Sequence, residues 1–133
     1  MYAEVVVQRG EDYDAFLTMP RPLRCPDGGF SPADCPPSEA GRLLFAANEK
    51  GCAACHQVNE SGPTLAGPNF YGPFWGRSEP LTSGETVTID EEYVRDSILH
   101  PRARVVAGYE PVMPSIRMSE PELDALVAYL QTL

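Results

Sequence analysis

Three residues with reactive side chains form one short run: Cys52, Cys55 and His56 make a C-x-x-C-H pattern. This pattern is typical of covalent heme attachment, because the two thiols can reach the vinyl groups on one heme edge and the imidazole then faces the iron. Two other interpretations use the same residue types. A redox-active thiol pair favours a βαβ context, whereas a loop rich in Gly and Pro follows here. A zinc site needs a second ligand pair, a role that Cys25 and Cys35 suit poorly at their ten-residue offset.

A six-coordinate heme also needs a second axial ligand from a later loop. Among the four methionines, Met113 lies in a loop stiffened by Pro111 and Pro114. A stiff loop suits this role, since the weak thioether ligand must be held in place. Met113 is therefore the predicted second ligand, and Met118 is interpreted as a filler of the core. His100, at the end of a predicted helix, is interpreted as a cap-region side chain favoured by the helix dipole.

Three principal helices are predicted to position these side chains. Ser38, Asp90 and Ser119 each precede a helical pattern and can act as N-caps. Glu122 completes a capping box with Ser119. The helices are predicted over about 39–48, over about 91–100 and from 120 onwards, and a small hairpin is predicted over 81–89. The chain is therefore predicted to be all-α, with long loops and a core that is marginal without a bound cofactor.

Residues 1–37 differ in composition from the rest of the chain. A β-branched run over 3–8 predicts a strand, and six prolines within 20–37 predict a stiff, irregular linker. Cys25 and Cys35 are predicted to close this linker with a disulfide, which the oxidising compartment of heme c attachment permits. The gain in stability would be on the order of 2–3 kcal/mol. Free thiols are the open alternative.

Charge and composition exclude several classes of function. The 133 residues carry a net charge of -9, with 43% hydrophobic and 22% charged residues, which indicates a soluble globular protein. Nucleic acid is not an expected partner, because its recognition needs clustered basic residues. The longest fully apolar run, over 125–130, is far shorter than the ~20 residues that span a bilayer. No signal peptide is recognised, and since heme c attachment implies export, we expect the chain to be part of a longer protein.

The segment over 67–72, Gly-Pro-Asn-Phe-Tyr-Gly, extends the pattern beyond the cysteines. Together with the helices, it makes residues 38–133 resemble a class I cytochrome c. In that family the carbonyl of the loop proline, here Pro68, accepts a hydrogen bond from the heme-ligand imidazole, here His56. The resemblance implies the class I cytochrome c fold, three principal helices around one covalent heme c. It also makes Tyr71 a candidate heme contact.

Other residues carry the same resemblance. Arg77, after a glycine, resembles the arginine that the family places near a heme propionate. Trp75 is a candidate contact of the heme edge or a propionate, with plain core packing as the alternative. The crossing of the first and last helices is expected to involve Gly41, Phe45, Leu126 and Tyr129. The acidic charge and the single lysine depart from the lysine-ringed docking surface of mitochondrial-type carriers.

A second resemblance covers the start of the chain. Residues 1–17 are similar to the end of the copper A domain in subunit II of heme–copper oxidases, and residues 84–114 are similar to the heme c domain fused to such subunits in caa-type oxidases. The implied domains are a copper A strand tail with linker over 1–37 and a cytochrome domain over 38–133. The Cys and His copper ligands are absent from this tail, so it holds no copper site.

The resemblances imply electron transfer rather than catalysis by the chain itself. The expected partners are the copper A domain of the same oxidase subunit and a small periplasmic electron donor, with membrane association only through the parent complex. The expected location is the periplasmic face of a bacterial cytoplasmic membrane. A free-standing or dehydrogenase-bound cytochrome c is the alternative, with the acidic surface pairing with a basic partner. A peroxidase or gas sensor would require an open iron position.

Overall fold

A computed structural model describes residues 35–47, 50–61 and 65–133. The predicted N-terminal strand, most of the predicted linker and Cys25 lie outside the described residues. Cys35 is buried and takes part in a disulfide. The predicted pairing with Cys25 therefore remains a prediction.

Three longer helices, one helical turn and a two-stranded hairpin make up the regular structure of the described residues. In chain order they are α1 (Pro37–Ala46), α2 (Cys52–Cys55), β1 (Ser78–Pro80), β2 (Thr86–Thr88), α3 (Glu91–Leu99) and α4 (Glu120–Leu130). The three predicted principal helices are confirmed. The predicted hairpin is confirmed as an element, but its bounds are wrong: Leu81 is not in the first strand, and residues 81–85 form the turn. Leu81 instead forms an isolated bridge with Val106, and its side chain is buried in the core.

The start of α1 differs from the prediction. The N-cap is Pro36, and Ser38 lies inside the first turn, so Ser38 as the N-cap is wrong. Proline at the first helical position has its φ already set for a helix and lacks an N–H that would otherwise be unsatisfied. Two backbone bonds from Glu39 and Ala40 to the Pro36 carbonyl close the first turn, at 2.9 and 3.1 Å. No side-chain cap is therefore needed.

The two later helices begin as predicted. The Tyr93 backbone N–H donates to Asp90 Oδ1 at 2.8 Å, which confirms Asp90 as the cap of α3. The Ser119 N–H donates to Glu122 Oε2 at 2.8 Å at the start of α4. At the end of α3, His100 takes the C-cap position and its Nδ1 lies 3.0 Å from an Asp96 carboxylate oxygen.

The crossing of α1 and α4 forms the base of the fold. A Cβ atom added at Gly41 would lie 1.9 Å from the carbonyl oxygen of Ala125, so only glycine permits this approach of the two backbones. Beside it the Phe45 and Tyr129 rings pack with centroids 5.7 Å apart. The helix crossing implied by the family resemblance is thus present.

The core lies between the three longer helices and the loops that connect them. Its buried side chains are Phe45, Phe74, Leu81, Ile89, Tyr93, Val94, Ile98, Leu123, Leu126, Val127, Tyr129 and Leu130. Met113, Met118 and Trp75 are partly buried against this cluster. In the part of the chain that the structure describes, no helix has the length and apolar character needed to cross a membrane.

Candidate functional site

A cavity opens from the core toward the C-x-x-C-H run. Its empty volume, including the open mouth, is about 1070 Å³. Helix α2, one face of α3, the end of α4 and the loop over 101–113 form its walls. Most of the lining is apolar, and two of its polar regions are described below.

Six of the eight predicted site residues line this cavity: Cys52, Cys55, His56, Pro68, Arg77 and Met113. The other two, Tyr71 and Trp75, are not among its lining residues. Tyr71 is 47% exposed, and Trp75 packs against the core. The predicted contact of Trp75 with the heme edge or a propionate stays a prediction, with plain core packing as the alternative.

Local structure explains how both thiols reach one cavity. Cys52 and Cys55 are the first and last residues of α2, and positions three apart lie on the same face of a helix. Gly51, with φ of 70°, provides the left-handed turn that starts α2. Burial raises the pKa of the Cys52 thiol, which keeps it neutral near pH 7.

The imidazole of His56 leaves the end of α2 and is held on three sides. Its Nδ1 donates to the Pro68 carbonyl at 2.9 Å, since a carbonyl oxygen only accepts. The ring stacks on Phe70, with centroids 4.5 Å apart and planes 17° from parallel. A Cβ atom at Gly67 would lie 2.5 Å from Cε1 of the ring, so this glycine leaves room for the imidazole.

This arrangement fixes the tautomer of His56. Burial lowers the pKa of the imidazole, and the bond to Pro68 offsets only part of that effect. The ring is therefore neutral with its proton on Nδ1, which leaves the lone pair of Nε2 free to bind a metal.

Two backbone hydrogen bonds place the segment around Pro68 against the histidine. Gly67 N–H donates to the Cys55 carbonyl at 2.9 Å, and Phe70 N–H donates to the Gln57 carbonyl at 2.7 Å. The segment over 67–70 therefore runs alongside residues 55–57. The approach of the two backbones brings the Pro68 carbonyl to the imidazole.

The second polar region of the cavity holds two guanidinium groups. Arg77 Nε lies 2.6 Å from Glu79 Oε1, an ion pair without hydrogen-bond alignment. Arg104 Nε donates to Asp96 at 2.9 Å. The hydroxyl of Ser97 faces the same cavity, buried and without a hydrogen-bond partner among the described atoms. Guanidinium groups and a buried hydroxyl are suited to bind carboxylates.

Three residues of this region were not predicted from the sequence: Tyr93, Ser97 and Arg104. Tyr93 and Ser97 stand four positions apart on α3, so helical spacing would have paired them on one face. No such spacing distinguishes Arg104. Arg102 lies two positions before it in the same irregular loop and is exposed, so residue type and position alone do not show which arginine faces the cavity. The guanidinium of Arg104 lies over the Tyr93 ring, 5.1 Å from its centroid.

Met113 reaches the cavity from a segment without regular structure. It is partly buried, whereas its neighbour Val112 is 59% exposed. Pro111 and Pro114 flank this pair, which limits the backbone conformations available to the segment. A thioether and an imidazole thus line one apolar cavity.

The competing interpretations find no support in the described residues. The described residues contain no group of three or more His, Cys, Asp or Glu side chains that could hold a metal ion as in a zinc site. The two strands that the described residues form are antiparallel neighbours, unlike the βαβ context of a thioredoxin-like pair.

Residues 38–133 match the family model described as Cytochrome c. The match includes all six lining residues of the predicted site.

Proposed function

The chain belongs to the cytochrome c family, and from this premise we propose which residues hold its heme and where its electrons go. Family membership gives a covalent heme c and heme-based electron transfer. When bound, heme c supplies a one-electron Fe(III)/Fe(II) couple. Cys52 and Cys55 have the spacing that forms the two thioether bonds.

We propose that His56 and Met113 are the axial ligands. The observation that carries this proposal is the hydrogen bond from His56 Nδ1 to Pro68, which leaves Nε2 available toward the cavity that Met113 also lines. The bond raises the basicity of the imidazole as a ligand. The soft thioether of Met113 favours the reduced state, and the apolar walls disfavour additional charge on the oxidised state.

The polar region of the cavity fits the two carboxylates of a heme. Arg77, the predicted contact, and Arg104 each offer N–H donors beyond the one engaged with an acidic neighbour. Ser97 offers a buried hydroxyl that is otherwise unsatisfied. We propose that these three side chains bind the heme carboxylates and so fix the heme orientation.

The axial ligation is tested by replacing either Met113 or Met118 with leucine, which has a similar volume. Met113→Leu should abolish the sulfur-to-iron charge-transfer band of the oxidised protein. It should also lower the reduction potential on the order of 0.1 V, part of the ~0.8 V range that axial ligands cover. Met118→Leu, at a partly buried position in the same stretch of chain, is the matched control and should keep the band. A wild-type protein without the band would contradict the proposal.

We further propose that the chain relays electrons within a respiratory oxidase, from a small periplasmic donor to the copper A centre of the same subunit II. Residues 1–17 and 84–114 support this by their resemblance to caa-type oxidases. The donor would contact the mouth of the cavity near Cys52 and Cys55, and the linker over 20–37 would set the reach to the copper domain. The protein would act at the periplasmic face, with the membrane reached through the parent complex.

The parent gene tests this assignment. Sequence upstream of Met1 should encode a copper A domain with its Cys and His ligands. A signal sequence directly before residue 1 would instead favour a free-standing or dehydrogenase-bound carrier. The net charge of -9 favours that alternative if the partner is basic.

A further inference from the structure

A histidine, an aspartate and an arginine form a chain of polar contacts that leads from solvent to the cavity. His100 Nδ1 lies 3.0 Å from Asp96 Oδ1, and Arg104 Nε donates to Asp96 Oδ2 at 2.9 Å. The side chain of His100 is 69% exposed, whereas those of Asp96 and Arg104 are 31% and 30% exposed. Of the three, Arg104 lines the cavity. The chain therefore connects an exposed imidazole to the polar region proposed to bind the heme carboxylates.

Backbone hydrogen bonds at the end of α3 hold this chain together. The His100 N–H donates to the Asp96 carbonyl at 2.7 Å, and the His100 carbonyl accepts from the Ala103 N–H at 2.9 Å. Arg104 follows directly, with its guanidinium over the Tyr93 ring. The turn over 100–104 thus places an imidazole and a guanidinium on the two oxygens of one carboxylate.

The imidazole is the group of this chain whose charge ordinarily changes near neutral pH. The hydrogen bond from His100 is the largest cause that lowers the pKa of Asp96, so this carboxyl is ionised. The guanidinium of Arg104 stays charged. Burial raises the pKa of the Tyr93 phenol, which is therefore neutral. Further charged groups lie one turn earlier on α3, in the turn after it and along the same cavity: Glu92, Arg102, Arg77 and Glu79.

We propose that His100 is a positioning residue that acts through Asp96 and Arg104 and makes the reduction potential of the heme depend on pH. The proposal rests on the proposed contact between Arg104 and the heme carboxylates. A carboxylate only accepts, so Nδ1 carries the proton of the neutral ring and the second proton binds at Nε2. The protonated ring shares the negative charge of Asp96, and more of the positive charge of Arg104 then acts on the heme.

This positive charge favours the reduced state, so the potential should rise as the pH falls. The donor protein supplies the electron that converts Fe(III) to Fe(II), and solvent supplies the proton that binds at Nε2. Because such coupling is reciprocal, reduction should raise the affinity of His100 for this proton.

The test fixes each charge state of position 100 in the holoprotein. His100→Gln is neutral and His100→Arg is positive at every pH from 5 to 8, and potentiometric titration compares both with wild type. Wild type should match His100→Arg at pH 5 and His100→Gln at pH 8. At one fixed ambient potential, the Fe(II)/Fe(III) ratios of the two variants should differ about twofold, as for one charge ~10 Å away at a dielectric constant of about 80. The heme carboxylates are common to all three proteins, so the differences report position 100.

The Asp96→Asn background tests the path. There the two His100 variants should differ by less than in the wild-type background, and an undiminished difference would overturn the path through Asp96. A second measurement follows His100 itself by nuclear magnetic resonance, since the other histidine of the chain, His56, is the proposed iron ligand. The midpoint of its titration should lie higher in the reduced protein than in the oxidised one.

Equal potentials of His100→Gln and His100→Arg, or equal midpoints in the two oxidation states, would overturn the inference. Equal shifts of the potential in Arg104→Gln and Arg102→Gln would instead overturn the contact between Arg104 and the heme carboxylates.

Discussion

The two walls of the heme cavity are built in different ways. In the His56 wall, residues 55–61 and 65–70, neighbouring residues contact the ring of the heme ligand His56 directly. The imidazole has a hydrogen-bond acceptor in Pro68, a stacked ring in Phe70 and a glycine at its edge. Its orientation is fixed by atoms that touch the ring.

The Met113 wall, residues 101–118, is held from its edges. Near its start the Arg104 side chain donates to Asp96 on α3, and Thr82 N–H donates to the carbonyl of Val105 at 2.8 Å. Near its end Lys50 holds the carbonyl of Arg117. Within the hydrogen bonds of the described residues, none is made by the thioether itself.

This difference between the walls explains how one small domain can hold both a strong heme ligand, the imidazole, and a weak one, the thioether. The His56 wall is part of the packed body of the fold, so a change there should act on the whole domain. The Met113 wall has few buried contacts and should open locally. Substitutions in the two walls should therefore separate global stability from local effects at the heme.

The largest effect is expected from Gly67→Ala in the His56 wall. The added Cβ would lie 2.5 Å from Cε1, 2.7 Å from Nδ1 and 2.9 Å from Nε2 of the His56 ring. The imidazole cannot move away without losing its hydrogen bond to Pro68 or clashing with Phe70. We expect a loss of about 1–3 kcal/mol in the free energy of unfolding, as for an overpacked core, together with reduced heme content. Denaturant unfolding and the ratio of heme to protein measure the two quantities.

Ser115→Val in the Met113 wall is the control for added bulk. Ser115 is exposed, so the change should alter the free energy of unfolding by no more than about 0.5 kcal/mol. Similar losses in Gly67→Ala and Ser115→Val would show that the two walls do not differ as described.

A smaller effect is expected from Arg104→Gln, which removes a cation from the Met113 wall near the proposed carboxylate contacts. Loss of this positive charge favours the oxidised heme, and a Coulomb interaction at an effective dielectric constant of about 20 gives a fall in reduction potential on the order of tens of millivolts. Arg102→Gln removes the same charge from an exposed neighbour and should change the potential far less. Potentiometric titration measures the reduction potential of each variant. Equal shifts in the two variants would contradict the proposed contact between Arg104 and the heme carboxylates.

The sequence predicted the His56 wall better than the Met113 wall, and the contacts explain why. His56 and Pro68 belong to short motifs whose local spacing reflects the chemistry. The caps at Asp90 and Ser119 are likewise local, and both are present. Arg104 and Lys50 act through partners that only the folded chain brings near, so spacing alone did not identify them. Ser38 is not the N-cap because the helix already begins at Pro37, with Pro36 in the N-cap position.

Asp96→Asn should give the smallest effect and test how the edge of the Met113 wall is held. The hydrogen bond from His100 is the main cause that lowers the pKa of the Asp96 carboxyl below its ordinary value; burial opposes it, and the hydrogen bond from Arg104 adds to the lowering. Because the folded-state pKa is depressed, the stabilisation is complete above the unfolded pKa and is lost as the pH falls through the folded pKa. The carboxylate is 31% exposed, so the variant should be less stable than wild type by at most about 1 kcal/mol at pH 6. Denaturant unfolding should show this difference vanishing as the pH falls through the depressed folded-state pKa of Asp96, because position 96 is then neutral in both proteins. A difference that persists at low pH would mean that packing, not charge, holds this edge.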